Sequence, residues 1–507
     1  MKSYVVFRGI LLLRRLTIAI GFAASVIAPA SAFSAEIPKT AVRKDASPAE
    51  AATHAIIQAV NGSNSDRAAL IKGAFSSKAF PNQEAANDKQ KWLDKLAHDS
   101  GGLTVISTKS EGNRMVEAIV HARQGDRFGK LVVFTSSKEP GKIANLFLLS
   151  ARDPAKVKAE AWPSGTLSLT DIAREIEKRA AALASEDRFS GVVLVAKGDR
   201  VIFRQAYGFA NEEWRIANRA DTRFHLGSMG KMFTAAATLK LAQEGKLSLD
   251  DSVAKWVPEF PHAEGAQITL RQLLIHSGGI GDMDVREIKQ PMSGARIAAA
   301  MTSPLVSRPG ERFGYSNAGY ILLQAVIERA TGKPFGEALT ELIFDPAGMT
   351  HTGTWPVTAV VANRATGYLH PENDPLGLGP RFSNEQFLGY GANGSGGEYS
   401  TADDMFAFLK GIATGRLLGA SATKEMLTPR IDFAGAQRPS RYGYGVDLTT
   451  CGGHPAFGHE GGGQNSGVSS LAYRTLGSDW TVVVLSNYDP PAAGDLTFSI
   501  CEFVAGR

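Results

Sequence analysis

Only two cysteines, Cys451 and Cys501, occur in 507 residues, and both fall in the last part of the chain. That is too few for a disulfide-stapled scaffold. It leaves a single disulfide, which an oxidising compartment would allow, or two free thiols. The ten histidines show no clustered metal-ligand spacing and the glycine runs form no phosphate loop, so no metal and no cofactor is implied. There is no short-period repeat and no low-complexity tract, which excludes repeat architectures. Past residue 32 no hydrophobic run reaches the roughly 20 residues that a bilayer span needs, so the mature chain should carry no integral membrane span. A strong charge excess is missing too. The formal +5 includes Lys2, Arg8, Arg14 and Arg15 of an opening stretch without acidic residues, and removing those four charges leaves +1. The basic balance therefore gives no argument for a nucleic-acid partner.

The opening stretch, residues 1–32, is basic at its start, apolar over residues 16–27 and closed by Ala30-Ser31-Ala32. This is the pattern of a signal peptide cut after Ala32, and it predicts an exported protein, periplasmic or secreted. Arg14-Arg15 leaves the general and twin-arginine routes both open. A chain this long divides into domains. Residues 45–150 read as a small α+β accessory domain, with two helices over 51–74 and 84–97 and four strands over 103–107, 115–122, 130–134 and 143–149. Residues 151–166 lose periodicity and contain Pro154 and Pro163, which predicts a linker without regular structure. In residues 167–507, Leu169, Ile172, Ile176, Ala180 and Leu183 mark an amphipathic helix. A hairpin follows over 192–203, and strands over 468–474 and 481–486 with a helix over 496–504 come only at the far end. A sheet built from both ends of a domain around a helical insertion leaves a cleft between two lobes.

Chemistry concentrates at three places. Phe224-His225-Leu226-Gly227-Ser228-Met229-Gly230-Lys231 opens a helix, so Lys231 shares a face with Ser228 and reaches its hydroxyl. Burial and the positive end of the helix dipole both favour a neutral amine, the form that can act as a base. Ser-x-x-Lys alone occurs by chance in many helices. The turn-rich segment ending Tyr315-Ser316-Asn317 adds a second proton-transfer group and an orienting amide. The run His459-Glu460-Gly461-Gly462-Gly463 adds glycines that let a substrate approach the backbone.

At these residues the chain resembles the serine β-lactamase and penicillin-binding-protein-like superfamily, in its branch of class C β-lactamases, D-stereospecific peptidases and related esterases. The resemblance spans roughly residues 167–507, with Ser-x-x-Lys, Tyr-x-Asn and His-x-Gly in order. It extends to the flanking runs Ile268-Thr269-Leu270-Arg271-Gln272-Leu273-Leu274-Ile275-His276-Ser277-Gly278-Gly279 and Gly394-Ser395-Gly396-Gly397-Glu398-Tyr399-Ser400-Thr401-Ala402-Asp403-Asp404. It implies an α+β, two-lobed fold: an antiparallel sheet flanked by helices, beside an all-helical lobe, with the site between. The helix-then-strand order of residues 45–150 is in turn similar to nuclear-transport-factor-2-like domains.

Carried onto this chain, the resemblance makes Ser228 the acylated nucleophile, Lys231 and Tyr315 its proton shuttles, and Asn317 the holder of the network. It sets His459 beside the substrate, with Glu460 and Gly461 next to it. The N–H groups of Ser228 and Gly462 would form the oxyanion hole. The implied reaction is hydrolysis of an ester or amide, including D-amino-acid or cell-wall peptides, with water as second nucleophile and no nucleic-acid partner. A β-lactamase or penicillin-binding carboxypeptidase is the alternative within the class, and a non-catalytic cell-wall or ligand-binding protein the alternative outside it. Glu460 departs from the hydroxyl residue common in β-lactam-binding relatives, and would repel an anionic substrate if it faced the cleft. His225 and His276 read as structural, and Thr401 with Asp404 as a capping box. No feature of the sequence indicates an oligomeric state.

Overall fold

The computed structural model describes residues 46–80, 82–283, 293–371, 374, 376–377, 379–433, 440–463 and 465–506. The expected signal peptide, residues 1–32, lies outside them. Ser47 and Glu50 close a capping box that starts α1 (Pro48–Asn61). Gly62 ends it, and a second box from Ser63 and Asp66 at once starts α2 (Asn64–Ala74). The single helix expected over 51–74 is therefore two, because the Gly62-Ser63 pair offers a stop and a new cap together. Then come α3 (Gln83–Ser100) and an antiparallel meander of β1 (Leu103–Glu111), β2 (Met115–Ala122), β3 (Phe128–Thr135) and β4 (Ile143–Ala151). Burial alternates along β2, and Val116, Ala118 and Val120 pack with Ile56, Val60 and Leu93 of the helices. Leu376, more than two hundred residues further on, completes this core.

The expected unstructured linker contains α4 (Pro154–Ala159), capped by the Asp153 side chain. Proline was read there as a breaker, yet Pro154 sits at the first helical turn, where its fixed φ and missing N–H are tolerated. Arg152 anchors the segment with paired bonds to Glu160 (2.8 and 3.0 Å) and Glu186 (2.7 and 2.9 Å). Trp162 stacks on Phe503 at 4.1 Å with Arg179 over its other side.

The amphipathic helix is α5 (Leu169–Ser185), with Ile172, Ile176, Ala180 and Leu183 buried as its spacing requires. The hairpin is β5 (Gly191–Lys197) and β6 (Arg200–Tyr207). After a largely helical stretch that includes α6 (Lys231–Gln243), α7 (Asn317–Thr331) and α8 (Ala402–Ala413), the chain returns as strands. These are β7 (Ile431–Asp432), β8 (Arg441–Tyr442), β9 (Asp447–Cys451), β10 (His454–Gly463), β11 (Val468–Thr475) and β12 (Trp480–Ser486). The final helix is α9 (Ala492–Ala505). One eight-stranded antiparallel sheet results, in the order β7-β8-β9-β10-β11-β12-β5-β6. Both faces are covered. Val193, Val195, Val482 and Val484 face α5 and α9, whereas Val192, Leu194, Val483 and Leu485 face the core that includes α6 and α8.

Cys451 at the end of β9 and Cys501 in α9 form a disulfide, with both residues buried. It closes a loop across 50 residues of sequence. Substituting Cys501→Ser should cost about 2–5 kcal/mol of stability, a shift that a chemical-denaturation curve of the variant against the oxidised wild type measures directly.

Candidate active site

Ser228 does not lie in α6 itself. It sits in the 3₁₀ turn Gly227–Gly230 that runs into the helix. Gly227 adopts φ 53°, and a side chain there would strike the backbone nitrogen of Gly462, so glycine is required for the turn and β10 to meet. The His225 Nδ1 accepts from Gly227 N–H at 3.1 Å. Burial pulls that imidazole down to about 4, so it is neutral and shapes the turn while also lining the cleft.

Lys231, on the first residue of α6, has 0% exposure. Its Nζ donates to Asn317 Oδ1 and to the Ser395 backbone carbonyl, each at 2.7 Å, and lies 3.2 Å from Ser228 Oγ. Burial draws the amine down to about 7, against the opposing pull of Asp282 and Glu398. A neutral amine has two N–H donors and one lone pair. The two carbonyl oxygens take both donors, and the lone pair is left facing the Ser228 hydroxyl. Tyr315 donates its O–H to the same Oγ at 2.9 Å. Burial raises the phenol far above its usual range, so it remains a proton donor at neutral pH. Asn317 is held in turn, since its N–H donates to Asp282 Oδ1 at 2.8 Å. The four side chains Ser228, Lys231, Tyr315 and Asn317 form one connected network.

The cleft in front of Ser228 encloses about 530 Å³. Its lining includes Gly227, Ser228, Gly462 and Gly463 together with Asn317, Asp282, Met283 and Leu388-Gly389. Gly462 and Ser228 thus share the wall, as an oxyanion site requires. Among the described lining residues there is no lysine or arginine, and the carboxylate present is that of Asp282. No group of three or more His, Cys, Asp or Glu placed to hold a metal occurs among the described residues.

The third motif is arranged differently from its reading. His459 does not line the cleft. Its Nε2 accepts from Tyr442 O–H at 2.9 Å and its Nδ1–H donates to the Glu460 carbonyl at 2.5 Å, and the imidazole, held near 3 by burial, is neutral. His276 stacks on Tyr315 at 4.3 Å and accepts from Ser316 N–H, which ties this buried layer to the phenol. Gly461 is absent from the cleft wall, because its Cα is turned against the Leu226 carbonyl and any side chain would collide there. Glu460 is half-buried, is absent from the cleft lining, and acts electrostatically on Tyr315 and Asp447. The capping box is half formed: Thr401 accepts from Asp404 N–H, while the Asp404 carboxylate instead binds His351 N–H and the Thr352 hydroxyl. Three contributors escaped the sequence reading. The Ser395 carbonyl is a backbone atom and leaves no residue signal, Tyr442 belongs to no motif, and Asp282 follows the Ile268–Gly279 run as an ordinary loop residue.

The pattern of the β-lactamase family matches residues 173–498. Esterase EstB of Burkholderia gladioli is 32% identical over 269 residues, 46% of this chain and 67% of that one. Penicillin-binding protein 4* of Bacillus subtilis (strain 168) is 26% identical over 324 residues, 60% of this chain and 69% of its own. A penicillin binding protein from Bacillus halodurans superposes with a TM-score of 0.57 at 29% identity, over 63% of this chain and 98% of that chain. With the Ser228 turn, α7 and the large sheet all inside the matched span, the chain belongs to the β-lactamase family of serine hydrolases.

Proposed function

We propose that the protein hydrolyses esters or amides through an acyl-enzyme on Ser228. The observation that carries this reading is the placement of the Lys231 amine, 3.2 Å from Ser228 Oγ with Asn317 Oδ1 and the Ser395 carbonyl each 2.7 Å from the same Nζ, so that in the neutral form its lone pair is left for the Ser228 hydroxyl. Lys231 takes the hydroxyl proton as Oγ adds to the acyl carbon; Tyr315 gives its proton to the departing alcohol or amine as the bond to it breaks, and the Lys231 ammonium returns a proton to the phenolate, which restores both groups. The N–H groups of Ser228 and Gly462 receive the oxyanion. Water then enters and adds to the acyl carbon as the same amine accepts its proton; the bond to Oγ breaks, Lys231 passes that proton to Ser228 Oγ, and the acid product leaves.

The cleft's chemistry narrows the acyl donor. A wall with Asp282 and, among the described residues, no cation favours neutral or amine-bearing substrates over those with a free carboxylate. Short acyl esters and D-amino-acid amides therefore come ahead of β-lactams, and the esterase named among the relatives supports the same order. The enzyme acts outside the cytoplasm after loss of residues 1–32; the leader pattern and the disulfide support that location.

A fluorophosphonate should label Ser228, and mass spectrometry should find no adduct in Ser228→Ala; labelling that survives the substitution overturns the assignment. Replacing Lys231 by Met should slow acylation by roughly 10²–10⁴-fold without unfolding the chain. Because only the neutral amine is a base, the acylation rate should climb with pH through a midpoint at about 7, and a rate that is flat across that region would contradict the role of Lys231. In a panel of short acyl esters, D-amino-acid amides and a chromogenic cephalosporin, the cephalosporin should be the poorest substrate by kcat/KM.

A further inference from the structure

Under the nucleophile's turn lies a carboxyl group that the reaction above does not use. Glu398 has 0% exposure, and neither of its side-chain oxygens has a hydrogen-bond partner. Its place is fixed on several sides. The Glu398 carbonyl accepts from Leu226 N–H at 2.8 Å, and its neighbour Tyr399 pairs with His225 in a two-residue ladder. The Oε2 atom rests against Gly230, where any Cβ would collide with it. Gly230 directly precedes Lys231, so the carboxyl is packed on the start of α6 beside the general base.

An unpaired carboxylate in such a place is strongly disfavoured, and the group responds by keeping its proton: burial pushes it up to about 8. The ionisable group that acts on it is Lys231, and Glu398 acts back on the amine, drawing a proton toward it. The other groups around the pair are accounted for. His225 on the adjoining strand is neutral, and Arg364 lies over the far side of the Tyr399 ring at 5.5 Å. On the other flank of Lys231 stand Asp282, the protonated Tyr315 and the neutral His276 and His459, with Glu460 acting on Tyr315.

We propose that Glu398 is a positioning residue acting through Lys231: as a neutral acid it leaves the amine free to take the Ser228 proton, and as a carboxylate it opposes acylation. The opposition has two parts. A negative charge at this point favours the ammonium form of Lys231, and it disfavours the oxyanion that develops at the same turn. No atom beyond a proton moves, since Glu398 releases its own to solvent. The consequence is a falling alkaline limb in the rate of acylation, which Lys231 alone does not produce and which Tyr315, raised well beyond that range, does not supply.

The inference rests on the acyl-transfer reading, and a test can separate the two. Fluorophosphonate labelling of Ser228 is timed from about pH 6 to about pH 10 in the full chain, in Glu398→Gln and in Glu398→Met, with each variant's fold checked by circular dichroism. The wild type should rise and then fall. Both variants should keep the rising limb and lose the fall, and label about tenfold faster than the wild type near pH 9.5. Should one variant fail to fold, the other reads the same limb. Should both fail, the wild-type profile decides, because a rate that never falls overturns the proposal. A falling limb unchanged in a folded variant also overturns it while leaving the acyl-enzyme intact. Absence of any Ser228 adduct in the wild type sinks both readings.

Discussion

An amine buried away from solvent is the constraint around which this molecule is organised. Lys231 has 0% exposure and opens a helix buried on nearly every side, in which Met232, Phe233, Ala235, Ala236, Ala237, Leu239 and Leu241 are buried as well. Its displacement from 10.5 to about 7 represents a cost to folding on the order of 5 kcal/mol near neutral pH. The sign follows from the direction of the shift. The unfolded chain holds the proton more tightly, so the penalty is full below the folded value and is relieved as pH rises from there towards 10.5. The two carbonyl oxygens on Nζ offset part of it by satisfying both remaining donors.

The backbone around Ser228 is equally constrained. Gly227, Gly396 and Gly461 each lie where a side chain would collide with main-chain atoms of a neighbouring segment. The Ser228 turn, the Gly394–Asp404 run and β10 can thus approach one another at main-chain distance. Packing at that range locates the Ser395 carbonyl for Lys231 and sets the Gly462 backbone in the same wall as Ser228. The buried layer of His276, Tyr442 and His459 backs Tyr315, so the third motif's imidazole supports the phenol from behind.

Much of this arrangement was legible in the residues. The spacing of Ile172, Ile176, Ala180 and Leu183 fixed α5, the paired apolar runs gave β5 and β6, and Ser228, Lys231, Tyr315 and Asn317 meet as their motifs implied. The losses have physical causes. The break at Gly62-Ser63 has a signal in the residues, since 61–67 holds no apolar side chain and Ser63 with Asp66 forms a capping box, and a single helix over 51–74 runs past it. Pro154 has opposite meanings inside a helix and at its first turn. The direction of His459 depends on how β10 passes Tyr442, and a backbone acceptor such as the Ser395 carbonyl has no letter in the sequence.

The order of the large sheet also governs when the enzyme comes into being. β12 lies between β11 and β5, so a strand made near the end of synthesis fills the gap beside one made near the middle. Until residues 480–486 have been synthesised, β5 has an open edge, and β10, which brings Gly462 to the cleft, lacks a completed sheet on its β12 side. A chain that stops short of β12 therefore leaves β11 and β5 each with an unpaired edge. The strand that joins the two ends of the sheet thus comes from the last tenth of the polypeptide.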